Sequence, residues 1–264
     1  MKTLILSLFA AALAACAAAT AEEPNKIAGS EIEYRHGDVV LSGYAAFPDT
    51  PGKLPGALVV HAWKGIGKHE RETVDRLAKK GYFAFALDMY GKGIRPKTNQ
   101  EAAKQAGIYR GDRNLMRERA KAGLAWLAAQ PNVDPTKIVA LGYCFGGGTV
   151  LELARSGADV KGVASFHGNL DTPDPEDAQN IKAAVLVLHG AADPHVPKAQ
   201  VDAFTAEMGA TKVDWQLVMY GGAVHSFTHE DAGTDVSRGA AYDARTAKRA
   251  YAAADAFFAE VLAN

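Results

Sequence analysis

The run Gly142-Tyr143-Cys144-Phe145-Gly146-Gly147-Gly148 lies between an apolar, strand-like run, Lys137 to Leu141, and a helix-like run, Thr149 to Arg155. Small residues two before and two after a nucleophilic side chain are the spacing of a tight strand-to-helix turn. So sharp a turn exposes the central side chain above a helix N-terminus, where negative charge is favoured. Here that side chain is Cys144. Spacing excludes two other uses of the glycines. A P-loop needs Gly-Lys-Ser/Thr at its end, and Gly148-Thr149 has no Lys; a dinucleotide fingerprint needs G-x-G-x-x-G, which Gly142 and Gly146 do not supply. A plain turn carrying a buried core cysteine is the competing reading of the motif alone.

Length and charge narrow the function classes. At 264 residues the chain suits one large α/β domain, and 30 acidic residues against 29 basic ones leave no long basic block. No nucleic-acid partner is expected. The first residues read as an export signal: Lys2, an apolar core from Thr3 to Ala15, then small residues. The apolar stretch is too short for a membrane span. Two processing routes fit. Ala19-Thr20-Ala21 is a cleavage site that makes residues 1–21 a signal peptide. Leu13-Ala14-Ala15-Cys16 alternatively resembles a lipobox, which removes residues 1–15 and anchors the chain through lipidated Cys16. Both predict an exported, periplasmic protein, with residues 22–30 as a linker and 31–264 as the domain.

Export sharpens the cysteine count. Cys16 and Cys144 are the two cysteines, and Cys16 is either removed or lipidated. No disulfide then forms within the mature chain, and a lone thiol in an oxidising compartment is a liability unless buried or used.

Periodicity places the motifs. Glu31–Arg35 and Asp38–Phe47 read as a hairpin, and Ala57–His61 as a strand buried on both faces. Helix then alternates with strand: Glu70–Lys80, Tyr82–Leu87, Asp112–Gln130, Lys137–Leu141 and the elbow helix. Val160–Phe166, Ala184–His189, Lys198–Met208, Val213–Met219 and a closing helix, Arg238–Leu262, follow. This alternation predicts an α/β fold with a mostly parallel central sheet and helices on both faces.

In such a sheet, functional groups gather at the carboxyl ends of the strands. Asp193 follows the strand ending at His189, and His225 follows the strand ending at Met219. Cys144, Asp193 and His225 thus form a candidate triad in the order nucleophile, acid, histidine. His225 can take the thiol proton and later serve the leaving group or water; Asp193 would fix its tautomer and stabilise its charged form. The backbone N–H of Phe145 and that of Trp63, after the Ala57–His61 strand, are the expected oxyanion donors. As single residues, Asp193 before Pro194 also reads as a turn cap, and His225 as a surface histidine.

His69-Glu70-Arg71-Glu72-Thr73 begins like a zinc-protease helix but lacks the second His. His225 and His229, four apart beside Glu230, have no third ligand in view, so no metal is expected. His61 and His167 end strands and either line the pocket or satisfy nearby backbone groups. Lys64, Lys92 and Arg95 in strand-end loops either attract an anionic substrate or are solvated surface charge.

These residues together resemble the dienelactone hydrolase family, from about Ile32 to the C-terminus. The resemblance rests on Gly142-Tyr143-Cys144-Phe145-Gly146-Gly147, His189-Gly190-Ala191-Ala192-Asp193 with Val196-Pro197, Gly222-Ala223-Val224-His225-Ser226-Phe227 and Leu87-Asp88-Met89-Tyr90. It implies an α/β-hydrolase fold without a large lid, and a Cys-His-Asp triad that cleaves small esters or lactones with no cofactor. Two departures stand out. Ala62 falls where family enzymes acting on dienelactone carry a Glu that partners the resting thiol, and His229 falls near their substrate-gripping Arg. Dienelactone is therefore not the expected substrate, and thiol activation falls to His225. His61, Lys64, Arg95, His167 and His229 are the candidate substrate contacts. The competing functions are a ligand-binding or redox-responsive thiol protein on the same scaffold, and a cysteine peptidase. The oligomeric state stays open.

Overall fold

The computed structural model describes residues 27–263; the expected export signal, residues 1–21, and Cys16 lie outside the described residues. The chain begins with an antiparallel hairpin, β1 (Ile27–His36) and β2 (Val39–Pro48), turned through Gly37 at φ 56°. Then come β3 (Leu54–Val60), α1 (Lys68–Lys79), β4 (Phe83–Leu87), α2 (Asn99–Gly111), α3 (Arg113–Ala128) and β5 (Val133–Tyr143). The second half runs α4 (Phe145–Arg155), β6 (Gly162–Phe166), β7 (Ala184–Gly190), α5 (Lys198–Gly209), β8 (Trp215–Tyr220) and α6 (Ala244–Ala263).

These strands form an eight-stranded sheet in the order β1-β2-β4-β3-β5-β6-β7-β8. The β1–β2 and β2–β4 pairs are antiparallel, and every pair from β4 to β8 is parallel. Alternation at period two divides the core. Leu58 and Val60 of β3 face a cluster with Met116 and Leu127 of α3, Leu153 of α4 and Phe204 of α5. Ala57 and Val59 face the other layer, with Val74 and Leu77 of α1 and Phe257 and Phe258 of α6. Both faces are covered, which is why the central strands read as continuous apolar runs.

Several elements differ from the sequence reading; β3 and β5, for example, start earlier, at Leu54 and Val133. Strand β1 starts at Ile27, so residues 27–30 of the expected linker belong to the sheet, paired with β2 from Ala45 to Pro48. Helix α2 was not anticipated: Ala102, Ala106 and Tyr109 bury a narrow stripe, too weak a periodic signal to read among polar neighbours. Its start is nonetheless encoded by a capping box, Thr98 with Glu101. The closing helix begins at Ala244 instead of Arg238. Gly239 sits at φ 76°, Ala240 bridges to His225, and the Asp243 side chain accepts from the Thr246 N–H (2.8 Å), starting the helix there.

Candidate active site

The elbow is as tight as its glycines imply. Cys144 joins β5 to α4 at φ 54° and ψ −113°, a backbone conformation L-residues rarely adopt. A Cβ on Gly142 would overlap the Gly146 carbonyl, and one on Gly146 would overlap the Val60 carbonyl beneath it. The strained turn is held by the Cys144 N–H, which donates to the Phe166 carbonyl (3.0 Å). The thiol lies at the head of α4, 8% exposed, in the wall of a cleft of about 860 Å³.

His225 lines the same cleft and Asp193 stands behind it. The His225 Nδ1–H donates to Asp193 Oδ2 (2.7 Å), while Asp193 Oδ1 accepts from the backbone N–H groups of His195 (2.8 Å) and Val196 (3.3 Å). The loop carrying His225 is pinned as a strand would be: its N–H donates to the Gly239 carbonyl (3.2 Å), and its carbonyl accepts from Ala241 (3.0 Å). Ser226 follows at φ 58°, so the chain turns away directly after the imidazole. Cys144, Asp193 and His225 thus lie at the carboxyl ends of β5, β7 and β8, with Cys144 and His225 both lining the cleft.

Electrostatics bind the three groups together. Burial pushes the Cys144 thiol up, but the facing His225, then Arg110 and the Phe145 N–H, outweigh it and hold the thiol below its ordinary value. Burial likewise disfavours charged His225, but the Cys144 thiolate and Asp193 carboxylate overcome it and raise the imidazole to about 10. Asp193, despite its own burial, is kept below the ordinary carboxylate value by His225 and the His195 N–H. Both shifts act in the direction of a thiolate–imidazolium pair.

The loop after β3 is fixed group by group. The Met89 N–H donates to His61 Nε2 (3.1 Å), which leaves the His61 Nδ1–H to donate to the Ala62 carbonyl (2.6 Å). The Tyr90 hydroxyl donates to the Trp63 carbonyl (2.8 Å). Glu70 takes the Ala62 N–H on one oxygen (3.1 Å) and the Gly67 N–H on the other (2.8 Å). Both carbonyls flanking the Trp63 N–H thus have fixed directions, as the site of an oxyanion donor requires.

The other sequence candidates divide. Trp63, Lys64 and His229 line the cleft. His61 does not: it is fully buried and satisfies backbone groups, the alternative open in the sequence. His167 is also buried behind the wall, with Nε2 on Thr228 Oγ1 (2.8 Å) and its ring 5.2 Å from that of His225. Arg95 is turned away from the cleft. Its guanidinium is consumed by the Ile94 carbonyl (2.8 Å), the Ser42 carbonyl (3.1 Å) and buried Asp88 (3.4 Å).

Arg110, His69 and Glu70 are among the cleft residues that escaped the sequence reading. Arg110 projects from α2, the unanticipated helix, and bonds Asn169 Oδ1 (2.8 Å) at the cleft wall. His69 and Glu70 sit in the first turn of α1, where the only visible signal was an incomplete metal motif. Among the described residues, no group of three or more His, Cys, Asp or Glu is placed to hold a metal ion.

A family model described as the dienelactone hydrolase family matches residues 41–262. The chain belongs to the dienelactone hydrolase family. A solved structure named m3DLH superposes with a TM-score of 0.86 at 40% identity, covering 89% of this chain and 98% of its own. The crystal structure of a dienelactone hydrolase-like promiscuous phosphotriesterase, P91, from metagenomic libraries gives 0.84 at 37% identity, with the same coverage of 89% and 98%. A putative carboxymethylenebutenolidase of Methylorubrum extorquens is 30% identical over 244 residues, 88% of this chain and 83% of that protein. The fold is that of the α/β-hydrolases, with no large lid, and the protein is a hydrolase acting on ester or lactone bonds.

Proposed function

We propose that this dienelactone hydrolase-family enzyme cleaves small esters or lactones through an acyl-Cys144 intermediate. The carrying observation is the 2.7 Å bond from His225 to Asp193 beside a thiol held on a strained elbow. The Cys144 thiolate attacks the substrate carbonyl carbon, and the carbonyl electron pair moves onto oxygen. The N–H groups of Phe145 and Trp63 receive that oxyanion. When it collapses, the C–O bond breaks and the leaving alkoxide takes the Nε2 proton of His225. Neutral His225 then takes a proton from water as the water attacks the thioester. Collapse of the second tetrahedral species expels the thiolate and restores the ion pair. One water is consumed, yielding an acid and an alcohol, or a hydroxy acid from a lactone.

Asp193 stays ionised throughout and holds the His225 ring in place. With His229 where the family carries its substrate-gripping Arg, the substrate is not dienelactone itself. The enzyme acts after export, in the periplasm, freed by cleavage after Ala21 or held by a lipid on Cys16. Turnover of a panel of p-nitrophenyl esters and unsubstituted lactones tests the reading, with the Cys144→Ala variant as control. Hydrolysis abolished by the substitution is the expected result. A panel with no turnover, or turnover that survives the substitution, overturns it.

A further inference from the structure

One part of the cleft lining is polar but presents little free charge. His69 and His229 stack, with ring centroids 3.8 Å apart and planes 24° from parallel, and both stand edge-on to Tyr143. Beside them are the hydroxyl-bearing Thr73, Thr228 and Tyr251 and the guanidinium of Arg76, all lining the cleft. The Arg76 charge is balanced by Asp255, to which Nη1 donates at 2.8 and 3.2 Å. Two imidazolium rings stacked this closely would repel each other, so the two are not charged together, and burial lowers the pKa of both, which favours neutral rings.

This region is also where hydrogen-bonding capacity is left over. Seven buried side-chain nitrogen or oxygen atoms among the described residues have no protein partner, and four belong here: His69 Nε2, His229 Nε2, Arg76 Nε and Arg76 Nη2. Buried polar groups are normally paired, so a concentration of unpaired ones in a cleft wall marks a place where ligand oxygens fit. Asp231, also in the lining, lies close enough for its charge to act on His69 and Glu70, which disfavours an anionic group there.

We propose that this wall is a subsite for a neutral, hydroxyl-bearing part of the substrate, so that the preferred esters or lactones are hydroxylated instead of alkyl or carboxylated. The inference rests on the hydrolase reading above. A hydroxyl both donates and accepts, which matches neutral imidazoles and leftover guanidinium N–H groups. A substrate carboxylate would face Asp231, and a plain alkyl group would leave the polar wall without partners.

Kinetics on three γ-lactones test this with the full chain: γ-butyrolactone, 2,3-dihydroxy-γ-butyrolactone, and 5-oxotetrahydrofuran-2-carboxylate. The dihydroxy lactone is expected to have the highest kcat/KM, by roughly tenfold over the plain ring, mostly through KM. His229→Phe should reduce that ratio to near one, and His229→Gln, which keeps an amide in place, should retain part of it. Equal rates for the plain and dihydroxy rings, or a preference for the carboxylate, overturn the subsite. If none of the three lactones is turned over, the hydrolase reading is judged separately on the p-nitrophenyl ester panel, and binding decides the subsite. In Cys144→Ala, 1H–15N NMR of the histidine rings should then show His69 and His229 shifting with millimolar dihydroxy lactone. Unmoved signals overturn the proposal.

Discussion

In the triad and the loop after β3 the polar groups are engaged by the protein itself, while Ser165 Oγ, His167 Nδ1 and His189 Nδ1 behind them have no hydrogen-bond partner. His225 is tied to Asp193, Asp193 to two backbone N–H groups, and the Trp63 loop to His61, Tyr90 and Glu70. In the wall formed by His69, Arg76 and His229, four nitrogens have no hydrogen-bond partner. The difference separates two tasks within one cleft. A catalytic centre gains from groups fixed before the substrate arrives, because no reorganisation remains to be done at the reacting atoms. A recognition surface must keep hydrogen-bonding capacity unspent until a substrate uses it. The chemistry is therefore preorganised at the elbow, and discrimination is assigned to the unspent wall.

Breaking the partnered side should cost most. Asp193→Asn leaves the shape but offers an amide to His225 Nδ1, favouring the wrong tautomer. It should lower kcat/KM by roughly 10²–10⁴-fold, read by steady-state hydrolysis of a p-nitrophenyl ester. A loss below tenfold would place Asp193 outside the machinery.

The ion pair gives a pH signature. The thiolate is lost only as pH falls through the depressed pKa of Cys144, and the imidazolium persists until pH approaches about 10. The rate of iodoacetamide alkylation should therefore decline at a pH below the ordinary thiol pKa of ~8.5. A single titration centred at ~8.5 would mean that His225 does not charge the thiol.

The smallest expected effect on the partnered side is at Glu70, a positioning residue that touches the oxyanion loop and no reacting atom. Glu70→Gln keeps one acceptor but turns an N–H₂ group toward either Ala62 or Gly67. We expect roughly a tenfold drop in kcat with KM little changed, less than the loss of an oxyanion donor itself. A change confined to KM would show that Glu70 contacts substrate directly.

The partnered half was also the more legible one. Cys144, Asp193 and His225 each follow an apolar strand that alternation makes visible, and one elbow glycine, Gly142, is dictated by an atom a few residues away, the Gly146 carbonyl. The recognition wall is built otherwise. His69, Arg76 and Thr73 come from α1, Tyr251 from α6, and Thr228 and His229 from a loop, so only the sheet brings them together. Arg110 was hidden because α2 buries too few side chains to show a helical stripe. His61 and Arg95 misled for the complementary reason. Strand-end placement suggested the cleft, while the Met89 N–H that engages His61 and the Ser42 carbonyl that engages Arg95 come from segments 28 and 53 residues away.

The most direct measurement is the intact mass of the protein after brief reaction with p-nitrophenyl acetate and an acid quench. The account predicts one added acetyl group on the wild-type chain, mapped by peptide sequencing to Cys144, and absent in Cys144→Ala. Hydrolysis without any adduct, or an adduct on another residue, would contradict it.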